Sequence, residues 1–429
     1  MKGLLLSICC LAVMFAACDR KEILPGKRES IAGIIETNKF DKSVINSSER
    51  ISASLASTLS SHIDIAGNKQ HNSINYKLTQ DPKLLWKTSL KGAQVNSDPI
   101  AFDGKIFIVN SRGDLLCISQ NDGKNLWEVK VAKQPDGATF SGGMTADGSV
   151  IYVATNIGDV VAVDVNSQKT IWKKSLKYPL RGAPLVASGK LIVNSIDGQT
   201  FALNTSEGDI VWKKTNTSEL TVMAESATPA LFGNDIICAY GSGDLKSLDL
   251  ISGNDSWTDV LFSTNIADSG AVISHIAASP VVSGNKVLAA TSESKMVMFD
   301  ASSGIRVWEK DIGTINIPVI NSGWIFVLSG DRSVLCLSEA DGSVKWTSDI
   351  RDLYPENKYP KNAEFVGPLL INGDVVIFSD HGDILKLDIS TGKLKSIYNF
   401  SGMSTCRTPI VVGDKLFAVT SRADLYAIG

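Results

Sequence analysis

The sequence has little net charge, few histidines, no cysteine pairs in its body and no long apolar run beyond its first 17 residues. Each shortage removes a class of function. A net charge of −3, with no basic stripe, offers neither the positive face that nucleic acid requires nor a surplus for acidic membrane surfaces. His62, His71, His275 and His381 lack the paired spacing of a zinc site, so no metal is expected. Cys117, Cys238, Cys336 and Cys406 stand singly in apolar, strand-like contexts and read as buried small side chains, with no spacing that supports a disulfide. No later stretch is apolar for the ~20 residues that crossing a bilayer takes.

What is present begins with an address. Met1-Lys2-Gly3 precedes the apolar run Leu4 to Ala17, the charged-then-apolar pattern of a secretory signal. It ends in Phe15-Ala16-Ala17-Cys18, which resembles a lipobox. Residues 1–17 therefore read as a lipoprotein signal peptide, and Cys18 as the lipid attachment residue and mature N-terminus. Burying acyl chains is worth roughly 0.8 kcal/mol per methylene, so such an anchor holds a protein on a membrane without a transmembrane helix. Asp19 is similar to an enteric inner-membrane retention signal that other lineages need not read, which leaves the membrane open. Residues 18–81, rich in Ser, Asn, Ile and Lys without strand alternation, read as anchor and extended tether, with a short helix as an option around Ser52 to Leu59.

From Pro82 the chain repeats itself, and self-similarity decides architecture before any single motif does. The first unit alternates the strands Pro99–Phe102, Ile106–Val109, Leu115–Ile118 and Leu126–Val129 with the turns Asp103-Gly104, Arg112-Gly113-Asp114 and Asp122-Gly123. Its closing Trp127 returns in phase as Trp172, Trp212, Trp257, Trp308 and Trp346, about 43 residues apart, within the span of four-stranded propeller blades. The seventh unit places Ile397-Tyr398 at that phase, and prolines such as Pro184, Pro229, Pro280, Pro318, Pro368 and Pro409 open the inner strands. The eighth unit stops after Asp424–Ile428, while the spare outer strand Lys83–Lys87, with Trp86, lies at the N-terminal end. Residues 82–429 are thus expected to form an all-β, eight-bladed β-propeller closed by its N-terminal strand, which removes open sheet edges. The tryptophans and Asp-Gly turns read as packing and turn chemistry.

A Gly-Lys or Gly-Asp turn before one strand and Asp-Gly-x-x-x-Trp closing the blade resemble the quinoprotein (PQQ-type) repeat over about Pro82 to Gly429. Joined to a lipobox and a tether, the eight units resemble the BamB family of outer-membrane β-barrel assembly lipoproteins, best in Arg181–Pro184, Phe201–Thr205 and Glu225–Ala230. That resemblance implies a non-enzymatic scaffold on the periplasmic face of the outer membrane, working with a BamA-type barrel-insertion protein, other lipoproteins of its complex and unfolded outer-membrane clients. It implies contact through loops matching Glu219–Glu225 and Ser269–Ser279, with Leu220, Val222, Met223, Glu225 and His275 as partner-binding residues. The chain departs from enteric members there: Met223 stands where they carry an arginine, and His275 and Ala277 correspond approximately to acidic positions. An arginine-to-carboxylate contact is therefore lost, and weaker salt dependence is expected.

Two other classes share the repeat. Quinoprotein dehydrogenases resemble one another in an adjacent cysteine pair and a calcium held by acidic and amide side chains. Here the adjacent pair, Cys9-Cys10, leaves with the signal, and no Asp-rich calcium loop is visible, so no catalytic residue and no cofactor is expected. A propeller binding a small ligand in its central channel would need polar or aromatic inner strands, whereas Pro184-Leu185-Val186 and Pro280-Val281-Val282 are mostly aliphatic. Connections from outer to inner strands emerge on one face, and the longest follow Trp212, Trp257 and Trp346, the last carrying Tyr354 and Tyr359 between prolines.

Overall fold

The structure, a computed structural model, describes residues 50–79, 81–92, 95, 97–133, 142–216, 227–261, 275–355, 358–360, 362–405 and 407–429. Its strands form eight four-stranded antiparallel blades, one of them extended by a fifth strand, in the ring expected of a β-propeller. Blade 1 comprises Ile100–Phe102, Lys105–Val109, Asp114–Ser119 and Asn125–Lys130. The two middle strands of a blade are apolar on both faces because each is sandwiched between neighbouring blades, so Ile106 to Val109 are all buried. The outer strands alternate exposed and half-buried residues, as in Ile210–Thr215, because only one face meets a neighbour.

Every outer strand carries a β-bulge at the residue before the tryptophan phase. Leu126 has no partner between the pairs Cys117–Trp127 and Ile118–Asn125, and Leu85, Ile171, Val211, Ser256, Val307, Lys345 and Lys395 repeat the break. A bulge twists and interrupts the free edge, which blunts it against pairing with other chains. Counting from these bulges, Ser396 occupies the tryptophan phase of blade 7. Ile397-Tyr398, assigned that phase from the sequence, lies beyond it, because the bulge adds a residue that spacing alone does not reveal. Pro368 likewise sits inside the strand Phe365–Ile371 at a register shift, whereas the other inner-strand prolines precede their strands.

Six indoles bridge to the following blade, those of Trp86, Trp172, Trp212, Trp257, Trp308 and Trp346. Trp172 Nε1 donates to Thr205 O at 2.8 Å, Trp257 Nε1 to Ala301 O at 2.8 Å and Trp346 Nε1 to Ile389 O at 2.8 Å. The glycine of that next turn lies under the ring: a Cβ on Gly208 (φ +75°) would sit 2.5 Å from Cε3 of Trp172. Facing the indole within its own blade is often a small residue, as with Cys117 opposite Trp127 and Cys336 opposite Trp346. Cys117, Cys238 and Cys336 are free and buried, and burial pushes the Cys117 and Cys238 thiols up to about 12. Cys406 lies outside the described residues.

Leu84–Ser89 pairs antiparallel with Asp424–Ile428, with Trp86 opposite Ala427, and so supplies the outer strand of blade 8. Residues 50–79 depart from the expected free tether, and no helix forms at Ser52–Leu59. The segment is extended but docked along the inner strands of the ring. His62 forms an antiparallel bridge with Ala101 of blade 1, Lys69 O accepts Leu231 N of blade 4 at 2.8 Å, and Gln70 O accepts Val282 N of blade 5 at 2.9 Å. Asn75–Tyr76 pairs parallel with Leu370–Ile371 as the fifth strand of blade 7. Asp64 reaches Thr145 of blade 2, Ser54 reaches Asn321 of blade 6, and Leu59 O accepts Gly413 N of blade 8. Ala101, Leu231 and Val282 are each the middle residue of a three-residue inner strand, whose channel-side N–H has no neighbour strand to bond. The segment satisfies those donors, and an unmet buried donor costs about 1–3 kcal/mol.

Candidate functional site

Because the strands of a blade meander, the connections between blades share one face with the middle hairpin turns, and the inner and outer hairpin turns share the other. On the first face the middle turns are held by a polar side chain at their first position: Asn110 Oδ1 accepts Asp114 N at 3.0 Å and Thr155 Oγ1 accepts Asp159 N at 2.9 Å. The connection then clips onto that turn, as when Val131 N donates to Gly113 O at 2.9 Å.

Of the partner-binding residues expected from sequence, Leu220, Val222, Met223 and Glu225 lie outside the described residues, as does Cys18. His275 is described and is only 1 % exposed, with its carbonyl accepting Ser292 N at 2.9 Å. Burial lowers its pKa, and its side chain is not part of the accessible rim. The connection after Trp346 is packed rather than solvated. Asp349 caps the short helix Ile350–Leu353, Tyr354 and Tyr359 meet edge to face with ring centroids 5.6 Å apart, and Tyr354 OH donates to Asp383 at 2.8 Å. Those aromatics fasten the connection to blades 6 and 7.

On the propeller axis lies a cavity of about 190 Å³. Its walls are the first residues of the inner strands and the connections leading into them, among them Asp98, Arg181, Thr228, Ser279, Ile315 and Arg407. Its floor is the docked segment, through His62, Asp64, Ile65, Ala66 and Ser73. Burial raises the pKa of Asp64, against a hydrogen bond of 2.6 Å from Thr145 Oγ1. His62 and His71 are both pushed down to about 4 by burial, and His71 Nδ1 lies 2.9 Å from Pro280 O. Sequence reasoning missed this floor. The signal was there in apolar Ile63 and Ile65, the glycine Gly67 and the aromatic Tyr76 within an otherwise polar stretch, without the alternation that marks a strand. Among the described residues, no three His, Cys, Asp or Glu side chains gather at metal-binding distance, and no helix is long and apolar enough to cross a membrane.

Comparison with known proteins places this architecture. The "Outer membrane protein assembly factor BamB" of Yersinia pestis is 23% identical over 357 residues, covering 81% of this chain and 88% of that protein. The crystal structure of BamB from Moraxella catarrhalis superimposes with a TM-score of 0.69 at 18% identity, covering 81% of this chain and 99% of that one. A europium-containing methanol dehydrogenase superimposes with a TM-score of 0.68 at 11% identity, covering 86% of this chain and 98% of the other, which shows how widely the fold alone is shared. The sequence profile of the family described as outer membrane protein assembly factor BamB matches residues 76–141 and 111–348, more than half of the chain, and this protein therefore belongs to that family.

Proposed function

We propose that the chain is a non-enzymatic assembly factor for outer-membrane proteins, a lipoprotein held by Cys18 at the periplasmic face of the outer membrane. The observation that carries this is the family match across residues 76–348, together with relatives named for that role. Under this reading the connections after Trp212 and Trp257 contact a BamA-type barrel-insertion protein, with Leu220, Val222 and Met223 as apolar anchors and Glu225 at their edge. The missing arginine at Met223 makes that contact less dependent on salt than a charged one. Other lipoproteins of the assembly complex and unfolded clients complete the set of partners.

Affinity purification from crosslinked native membranes tests the proposal: a barrel-insertion protein and accessory lipoproteins are expected among the recovered proteins, and their absence defeats it. Changing Leu220 and Met223 to aspartate is expected to abolish that recovery while leaving far-ultraviolet circular dichroism unchanged; full recovery places the contact elsewhere. For the enzyme alternative, pyrroloquinoline quinone with calcium is expected to give neither a bound-cofactor spectrum nor dye reduction.

A further inference from the structure

The two ends of the docked segment meet at blade 7. Ser57 bridges Tyr76 in parallel, with Ser57 N donating to Asn75 O at 2.9 Å and Lys77 N donating to Ser57 O at 2.8 Å. Residues 58–74 are thus a loop pinned at both ends, which crosses the axis to reach blades 8, 1, 2, 4 and 5 through Leu59, His62, Asp64, Lys69 and Gln70. Its flanks are fastened by apolar burial of Ile51, Tyr76 and Leu78, and Leu78 also exchanges two hydrogen bonds with the Asn372 side chain. The loop itself is held otherwise. Ile63 and Ile65 are only half-buried, and its buried residues are His62, Asp64, His71 and Ser73. Ala66 (φ +55°) and His71 (φ +58°) also take left-handed backbone that side chains disfavour. A strained loop with so little buried apolar surface opens at lower free energy than the blades around it.

Both histidines are seated for the neutral ring alone. His71 Nδ1 donates to Pro280 O at 2.9 Å, which leaves Nε2 as the bare nitrogen, and that atom is buried without a hydrogen-bond partner. Nδ1 of His62 is likewise buried and unpartnered, on the side of the ring that faces Gly67 and the Tyr76 hydroxyl. A proton added at either place makes a buried cation whose new N–H has no acceptor. The charged groups nearby are Lys69 and Asp147 beside Asp64, and Asp98, Arg181 and Arg407 on the cavity wall. None of them shifts either histidine, on which burial and, for His71, the Pro280 carbonyl act. Asp64 works in the opposite direction, because burial favours its protonated form, but its titration starts from 3.8 against 6.5 for the histidines.

We propose that residues 58–74 are a proton-released plug: with His62 and His71 neutral the loop closes the axial channel, and acid swings it out on the Ser57–Tyr76 bridge while the blades stay folded. Opening removes the floor of the axial cavity and bares the channel-side amides of Ala101, Leu231, Val282 and Gly413, which the loop accepts when closed. The device is independent of the assembly role, since it is built within one chain.

Residue-resolved hydrogen exchange of the purified full chain, corrected for the intrinsic pH dependence of exchange, provides the test. The amides of Ala101, Leu231, Val282 and Gly413 report plug opening, and those of Phe107 and Phe326, in middle strands of blades 1 and 6, report unfolding of the blades. At every pH the first set is expected to be less protected than the second. Between pH 7.5 and 5.5 its protection should fall by about a hundredfold, roughly tenfold from each histidine. His62→Gln and His71→Gln should each reduce that fall to about tenfold. The measurement on the parent protein stands even where a variant folds poorly. Plug amides exchanging no faster than Phe107 and Phe326, protection that does not change with pH, or a folded His62→Gln protein keeping the full hundredfold response overturns the proposal.

Discussion

A single contact repeats around the ring: an indole at the end of one blade lies on a glycine in the last turn of the next. Sequence phase exposes both residues, and their turn chemistry is legible, but their mutual contact is not, because they are 34 or more residues apart and meet only across blades. Gly208 and Gly189 separate two effects at this scale. Both have positive φ, near +75° and +71°, but only Gly208 lies against an indole, whereas a Cβ on Gly189 would meet nothing within 4 Å. Gly189→Ala is expected to lower stability by about 1–2 kcal/mol from backbone strain alone. Gly208→Ala adds the overpacking cost, for a total of roughly 2–5 kcal/mol. Denaturant midpoints of the two variants check this, and equal losses would remove the interlock from the account. The interface between blades 1 and 2 lacks the device, since Gln168 (φ +58°) stands where other blades have that glycine.

Among elements, the segment 50–79 is the one that composition misjudged. Its strand-like content is two residues long, and the rest of its bonds go to inner-strand edges, so no local period records them. The burial of His62 and His71 gives it a pH signature. Their folded pKa values, about 4, lie below the ordinary 6.5, so the unfolded chain binds more protons as pH falls. Their neutral forms support the fold fully above 6.5, and stability declines between 6.5 and 4, by roughly 3 kcal/mol per histidine at the lower end. Urea midpoints measured across that range are expected to fall steeply in the parent protein. In His62→Gln about half of that slope should disappear, and an unchanged slope would show that His62 is not buried neutral.

For the whole molecule, closure depends on the pairing of Leu84–Ser89 with Asp424–Ile428 and on Trp86, which meets Gly123 of blade 1 and donates to Gln120 O at 3.3 Å. A chain lacking residues 1–89 is expected to expose the Asp424–Ile428 edge and to associate, which light scattering after size exclusion measures; a stable monomer of parent-like stability would count against ring closure by this strand. The blade count and the completing strand were readable in the sequence because each unit repeats the same local periods, turns and tryptophan, and local patterns survive in linear order. Blade 7 was harder, since its bulge shifts the phase to Ser396 and only strand register reveals it. The axial floor and the cavity above it came from tertiary structure alone. The floor joins residues of seven blades through backbone bonds and single side chains, and contacts made once, between distant segments, leave no period in the sequence to find.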